Sequence, residues 1–284
     1  MTISDRLLRW TSRLTEDTSG ATVLAVAAQK GGVGKTTTAV NLAIAMARFA
    51  RRRTLLIDLD GQGHVERSLR GLLKSGSDGW GLAEVLLGSN RDLRPLVRAT
   101  AEERLYVTPS DRNLASAEGV LAGRIGKEFL LRQALRPIRP DFDLIVLDCP
   151  PNLGNLTLNA LMAADGLVIP CEMSVLALAG VSDLMEVVAT LRDRLDHEVR
   201  PLGILPTRVD RRNSRVTGAV LKELESRFAG LVTQTRIPVS TALAQAQMAG
   251  VPVFDFDPAS PGARAYRVLA GELSTRIEAM SRAA

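Results

Sequence analysis

The eight residues Lys30-Gly31-Gly32-Val33-Gly34-Lys35-Thr36-Thr37 restrict the folds open to this chain more than any other stretch. An apolar run, Val23 to Ala28, precedes them, and a helical pattern from Thr37 to Met46 follows. Strand, glycine turn and helix in that order specify a parallel α/β unit. Gly31, Gly32 and Gly34 permit positive φ and close backbone approach. Successive N–H groups, that of Val33 included, can therefore curl around phosphate oxygens at the positive end of the helix. Lys35 brings a mobile positive charge to those oxygens, and the Thr36 hydroxyl is a hard ligand for Mg²⁺, with Thr37 completing the turn. The pattern departs from the ordinary G-x-x-x-x-G-K-[ST] loop at its first glycine, where Gln29 stands, and it adds a second lysine, Lys30.

Composition narrows the frame around this loop. A chain of 284 residues, 46 % apolar but only 4 % aromatic, suits a Leu/Val/Ala-rich helix-and-sheet core rather than a β-sandwich. No apolar run approaches the roughly 18 residues that span a bilayer, and the first residues lack the apolar core of a secretory signal, so a cytoplasmic protein is expected. Cys149 and Cys171 are expected as buried thiols rather than a disulfide. The formal charge of +5 points toward a polyanionic partner without identifying it.

Taken in order, residues 1–20 form a basic amphipathic extension and polar linker, and residues 21–284 a single phosphate-binding domain. The run Thr54 to Asp58, followed by Leu59 and Asp60, reads as a buried parallel strand whose carboxyl end delivers two carboxylates to the ligand crevice. Residues 71–104 carry a helix near Leu82 to Leu87 and little else that is legible. A short strand at Leu105-Tyr106-Val107 leads into helices over roughly 112–122 and 127–136. Phe142 to Asp148 reads as a second apolar strand ending in a carboxylate, the Walker B pattern that holds Mg²⁺ directly or through water. Pro150, Pro151 and Gly154 then force a defined turn suited to a nucleotide-sensitive switch. Further strands are expected at Gly166 to Pro170 and Pro201 to Leu205, with a helix from about Gly180 to Leu195. Arg208, Arg211, Arg212 and Arg215 cluster beside a helix start and form a candidate phosphate-contacting patch. His64, with His197 far away in sequence, reads as a polar loop residue rather than a metal ligand. Together these elements describe a three-layer α/β fold with a mainly parallel twisted sheet flanked by helices.

The doubled lysine, Asp58-Leu59-Asp60-Gly61-Gln62-Gly63 and Asp148-Cys149-Pro150-Pro151-Asn152-Leu153-Gly154 resemble the deviant Walker A ATPases of the ParA/MinD superfamily. The likeness extends from Val23 to the last helix. It implies that Lys30 reaches across a homodimer to the partner's ATP, that Thr36, Asp58 and Asp148 arrange Mg²⁺, and that Asp60 orients the attacking water. It further implies nonspecific DNA binding through Arg212, a ParB-like adaptor that stimulates hydrolysis, and association with the nucleoid. Gly61 stands where the family has proline, His64 where it commonly has asparagine, and Ala242 where relatives carry a second DNA-contacting arginine. Glu172 and Ser174 stand in a loop that is usually P-x-Q-x-E, while Val239 and Ser240 replace residues near the nucleotide base. A MinD-like membrane ATPase, a metallocluster protein using Cys149 or Cys171, and a nucleotide-gated scaffold with little turnover are the alternative expectations. Stable membrane insertion is not expected, since Leu273 to Met280 offers little apolar surface.

Overall fold

Val-, Leu- and Ile-rich runs too short for helices become strands buried on both faces, as a parallel sheet requires. A computed structural model of the chain describes residues 20–73, 81–88, 91–210 and 214–283. The strands are β1 (Thr22–Val26), β2 (Thr54–Asp58), β3 (Arg98–Ala99), β4 (Leu105–Val107), β5 (Leu144–Asp148), β6 (Gly166–Glu172) and β7 (Arg200–Thr207). Across the sheet they lie in the order β3-β4-β2-β5-β1-β6-β7, and every neighbouring pair is parallel except β3 with β4. The register aligns Val26 and Asp58 with Asp148 on either side, so the carboxyl ends of three central strands finish level.

Alternation along each strand divides the core into two layers. Val23, Ala25, Ile145, Leu147, Leu167 and Ile169 pack on one face. They meet α3 (Leu82–Leu87), α4 (Leu114–Leu121), α5 (Leu130–Leu135), α6 (Asn155–Ala163) and α7 (Val175–Leu195). The opposite face, with Leu24, Val26, Val146 and Val168, is covered by α1 (Lys35–Arg48), α9 (Thr241–Ala249) and α11 (Pro261–Ala283). Shorter or more peripheral helices are α2 (His64–Leu69), α8 (Ser214–Arg227) and α10 (Val253–Phe256). In α11 the buried residues Tyr266, Leu269, Ala270, Leu273 and Ile277 recur at three and four positions, the spacing of one helical stripe. The Tyr266 hydroxyl meets that of Thr38 at 3.1 Å inside the core and so ties the last helix to the first.

Most element boundaries expected from periodicity stand within a few residues. The helix expected from Gly180 begins earlier, at Val175, because the Ser174 hydroxyl accepts a hydrogen bond from the Ala177 amide at 3.3 Å and caps it. The stretch 127–136 divides into a 3₁₀ turn, Lys127–Phe129, and α5. β3 is only two residues long, which leaves no period to detect. The extension before Gly20, and with it the amphipathic pattern of residues 1–19, lies outside the described residues.

At the amino ends of the strands, opposite the site, Arg139 acts as a clamp. Its guanidinium donates to the Ala21 carbonyl at 2.9 Å and to Asp165 at 2.8 Å, and the same Asp165 oxygen accepts from the Val23 amide. Breaking one partner of such a buried ion pair strands the other. Arg139→Met is expected to lower unfolding stability by about 3 kcal/mol, read from urea denaturation; a loss below about 1 kcal/mol, within the range of an exposed pair, would show that the clamp does not hold the sheet.

Candidate active site

The loop between β1 and α1 wraps its backbone around an open space at the carboxyl edge of the sheet. Gly32 and Gly34 adopt φ of 77° and 96°, a left-handed conformation that side chains with a Cβ resist. A Cβ at Gly32 would nevertheless meet nothing within 4 Å, so conformation and not crowding requires glycine there. Two outside contacts brace the loop. The Thr207 hydroxyl, at the end of β7, donates to the Val33 carbonyl at 2.8 Å, and Arg208 approaches the Gly32 carbonyl at 3.5 Å.

Inside this cradle Lys35 turns back and donates to the Lys30 carbonyl at 3.0 Å, with its side chain almost wholly buried. Burial pulls its ammonium pKa down, opposed by the nearby carboxylates of Asp148 and Asp60. Asp58 and Asp148 face each other across the β2–β5 register, both with no solvent exposure. The Asp58 carboxylate accepts from the Ser110 hydroxyl at 2.7 Å and from the Asp60 amide at 3.0 Å. Desolvation outweighs these bonds and holds its pKa at about 6. Asp148 is pushed further above the usual range, first by burial and then by the charge of Asp58. The Thr36 hydroxyl and Lys35 act in the other direction, yet neither Asp148 oxygen receives a hydrogen bond of ordinary geometry from the described residues.

A buried carboxylate with both oxygens unpartnered, beside a second buried carboxylate and a hydroxyl, is a set of hard oxygen donors short of a cation. That chemistry fits Mg²⁺, which takes one or two carboxylates and completes its octahedron with water and phosphate oxygens. The cradle fits a nucleotide as well. A cavity of about 370 Å³ runs on from Gly32 and Thr37 between Arg208, Pro238, Ser240 and Gln247, enough to seat the base and sugar end. Val239 and Ser240, expected near the base, both line it.

The structure thus brings together Gly31 to Thr37, Asp58, Asp60 and Asp148. Asp60 sits on the loop after β2, where its Oδ1 accepts from the Gln62 amide at 3.1 Å. Lys30 lies at the rim, 41 % exposed, with its ammonium 3.2 Å from Glu172. Arg208 shares that carboxylate at 3.7 Å, so this member of the expected DNA patch leans on the phosphate loop. Arg215 is exposed in the first turn of α8, whereas Arg211 and Arg212 lie outside the described residues. Ala242 is buried. His64 opens α2 and His197 meets the Leu161 carbonyl. Cys149 and Cys171 are free, buried thiols whose pKa values are raised chiefly by desolvation, that of Cys171 to about 12. Ser110 and Glu172 were not evident as site residues from sequence, because each acts on a partner far along the chain.

Two buried carboxyls, whose ionisation burial and their mutual repulsion both oppose, should burden the nucleotide-free protein. Asp148→Asn is expected to raise its unliganded stability by about 1–3 kcal/mol while abolishing the extra thermal stabilisation that Mg²⁺ adds to bound nucleotide. Thermal denaturation with and without ATP and Mg²⁺ measures both, and a destabilised variant that keeps its Mg²⁺ response would place the cation elsewhere.

Known proteins share this arrangement over nearly the whole domain. A family model described as an AAA domain matches residues 21–200. The chromosome partitioning protein ParA of Myxococcus xanthus is 38 % identical over 254 residues, covering 89 % of this chain and 88 % of that protein. The sporulation initiation inhibitor protein Soj of Bacillus subtilis is 37 % identical over 252 residues, 89 % of this chain and 98 % of that one. Among solved structures, the cobyrinic acid a,c-diamide synthase of Mycobacterium smegmatis with a bound ATP analogue and magnesium superimposes with a TM-score of 0.75 at 35 % identity, covering 88 % of this chain and 93 % of that one. With its doubled-lysine phosphate loop, its paired strand-end aspartates and these relatives, the chain belongs to the ParA/MinD superfamily of ATPases.

Proposed function

We propose that this ATPase partitions or positions a large cargo such as a chromosome or plasmid complex. ATP closes a sandwich of two copies, the dimer holds DNA without sequence preference, and hydrolysis stimulated by a ParB-like adaptor releases it. The observation that carries the reading is the buried Asp58–Asp148 pair beside Lys35 at the mouth of the phosphate loop. The name of the Myxococcus xanthus relative, a chromosome partitioning protein, agrees with it.

The loop amides and Lys35 hold the phosphate oxygens, and the α1 dipole favours their charge. Thr36, Asp58 and Asp148 are the residues that would hold Mg²⁺, directly or through water; once bound, the ion neutralises charge on the transferring phosphate. Asp60 orients the attacking water, which suits a loose transition state that needs positioning more than a strong base. Lys30 is the residue for the partner subunit's nucleotide. Its contact with Glu172 is an exposed ion pair of about 0–1 kcal/mol, and a charge-assisted bond to phosphate, about 1.5–3 kcal/mol, exceeds it. The pair can therefore open when a second copy docks.

DNA contact falls to Arg208, Arg211, Arg212 and Arg215, since Ala242 leaves α9 without the arginine its relatives use there. Membrane anchoring through α11 is disfavoured because Leu269, Leu273 and Ile277 are already spent on the core, and no described helix is long and apolar enough to cross a membrane. The reading places the protein on the nucleoid.

The deciding experiment is fluorescence anisotropy of a labelled DNA duplex with ATP, ADP or a nonhydrolysable ATP analogue. Tight binding is expected with ATP and the analogue only, and Asp60→Ala should persist as an ATP-bound dimer on DNA; equal affinity in all nucleotide states would end the proposed cycle. Arg212→Ala should flatten the slope of log K against log salt by about one unit, and an unchanged slope would move the DNA surface elsewhere.

A further inference from the structure

A second cleft opens beside the loop that follows β2, bounded by α2, the end of β4 and the turn before α4. It encloses about 1060 Å³, at the large end for a small-molecule site. Arg67, Arg70, Arg98 and Arg112 line it, against the single carboxylate of Glu66. Arg67 donates to the Gln62 and Gly63 carbonyls, which fixes its guanidinium at the wall. The side chains of Arg70, Arg98 and Arg112, the first and last of them exposed and Arg98 half-buried, have no hydrogen-bond or ion-pair partner among the described residues, whereas Arg48, Arg139 and Arg276 are each held by carboxylates. Thr108 lines the same cleft with only 2 % exposure, and its hydroxyl is buried with no partner among the described residues.

Three unpaired guanidiniums around one concavity leave a net positive field that Glu66 alone in the lining answers, and a buried hydroxyl donor there lacks an acceptor. The geometry points to a binding site for a small ligand carrying two or more phosphate groups, separate from the nucleotide on the phosphate loop. Guanidinium forks match phosphate oxygens in pairs, and an oligophosphate is a compact ligand with enough charge to answer several arginines lining one cleft. An acidic peptide would spread the same charge along its backbone, and a DNA duplex cannot enter a concave cleft of this size. Ser110 connects the cleft to the active site. It lines the cavity and donates its only hydroxyl proton to Asp58. Ser110 has a single hydroxyl hydrogen, so a phosphate oxygen can accept it only by drawing Ser110 away from Asp58. Through this last step, which rests on the proposed ATPase cycle, the ligand would alter turnover.

Binding itself is tested without turnover. Calorimetric titration of inorganic tripolyphosphate into protein saturated with ADP and excess Mg²⁺ should give one saturable site per chain. Arg98→Ala and Arg112→Ala should each weaken it at least tenfold, and Thr108→Val several-fold, with ADP affinity unchanged in all three. Absence of saturable binding, or equal affinity in the Arg98→Ala/Arg112→Ala double variant, would overturn the site. Tighter competition by a polyglutamate peptide than by tripolyphosphate would overturn it in favour of a protein-docking groove. If binding follows these expectations while DNA affinity ignores nucleotide state, the phosphate site stands and the partitioning cycle falls.

Discussion

Two carboxylates that ought to repel each other sit side by side in the dry interior. Asp58 and Asp148 end adjacent parallel strands in register, with no solvent exposure. In low dielectric such a pair is unfavourable unless positive charge or protons compensate it. The fold supplies part of the answer through Lys35 and Thr36 on the first turn of α1, and leaves Asp148 without a closed hydrogen bond from the described residues. The residual deficit is what gives the site its appetite for a cation carried in with phosphate. Folding stability is sacrificed at this point, and the two apolar layers above and below the sheet supply the surplus that tolerates it.

The sheet is what makes this juxtaposition unavoidable. β5 lies between β1 and β2, so the phosphate loop leaves from one neighbour of Asp148 and the Asp58 loop from the other. In open α/β sheets ligands collect at such crevices beyond the carboxyl ends of strands. The same alternation that sends Leu24, Leu56 and Val146 toward α1 and α11 sends Asp58 and Asp148 to that face too. The site is therefore a by-product of the core's own period of two, continued for one more step past the last apolar residue.

This local logic explains which features were legible in the sequence. Val23 to Ala28, Thr54 to Asp60 and Phe142 to Asp148 carry strand and carboxylate in one continuous stretch, and the glycines of the loop announce their own backbone conformation. Ser110 carried no such sign, because its bond to Asp58 joins residues 52 apart. Glu172 was readable only as a departure from a family loop; its contact with Lys30, 142 positions away, needed the β6–β1 adjacency to appear. The proposed DNA patch was legible as clustered charge and, at Arg212, by family resemblance, while the lean of Arg208 onto Gly32 and Glu172 comes with a left-handed residue just past β7, φ 50°, that no pattern in the sequence signals. The family was legible because its motifs are contiguous, while the wiring between motifs is tertiary.

The short antiparallel strand β3 has an effect beyond tidying the end of the sheet. It occupies the free ladder of β4 with only Arg98 and Ala99, and at the other margin the Val232 bridge falls on Ile204 in β7 and the Pro238 bridge on Val209, two residues past its end. An open edge of a parallel sheet is a template on which another chain can add strands and seed irreversible aggregates. Among the described residues both margins are taken by stubs too short to propagate, which disfavours backbone pairing between copies. The proposed pairing of two molecules would then fall to side chains, in contacts that charge and nucleotide are able to undo.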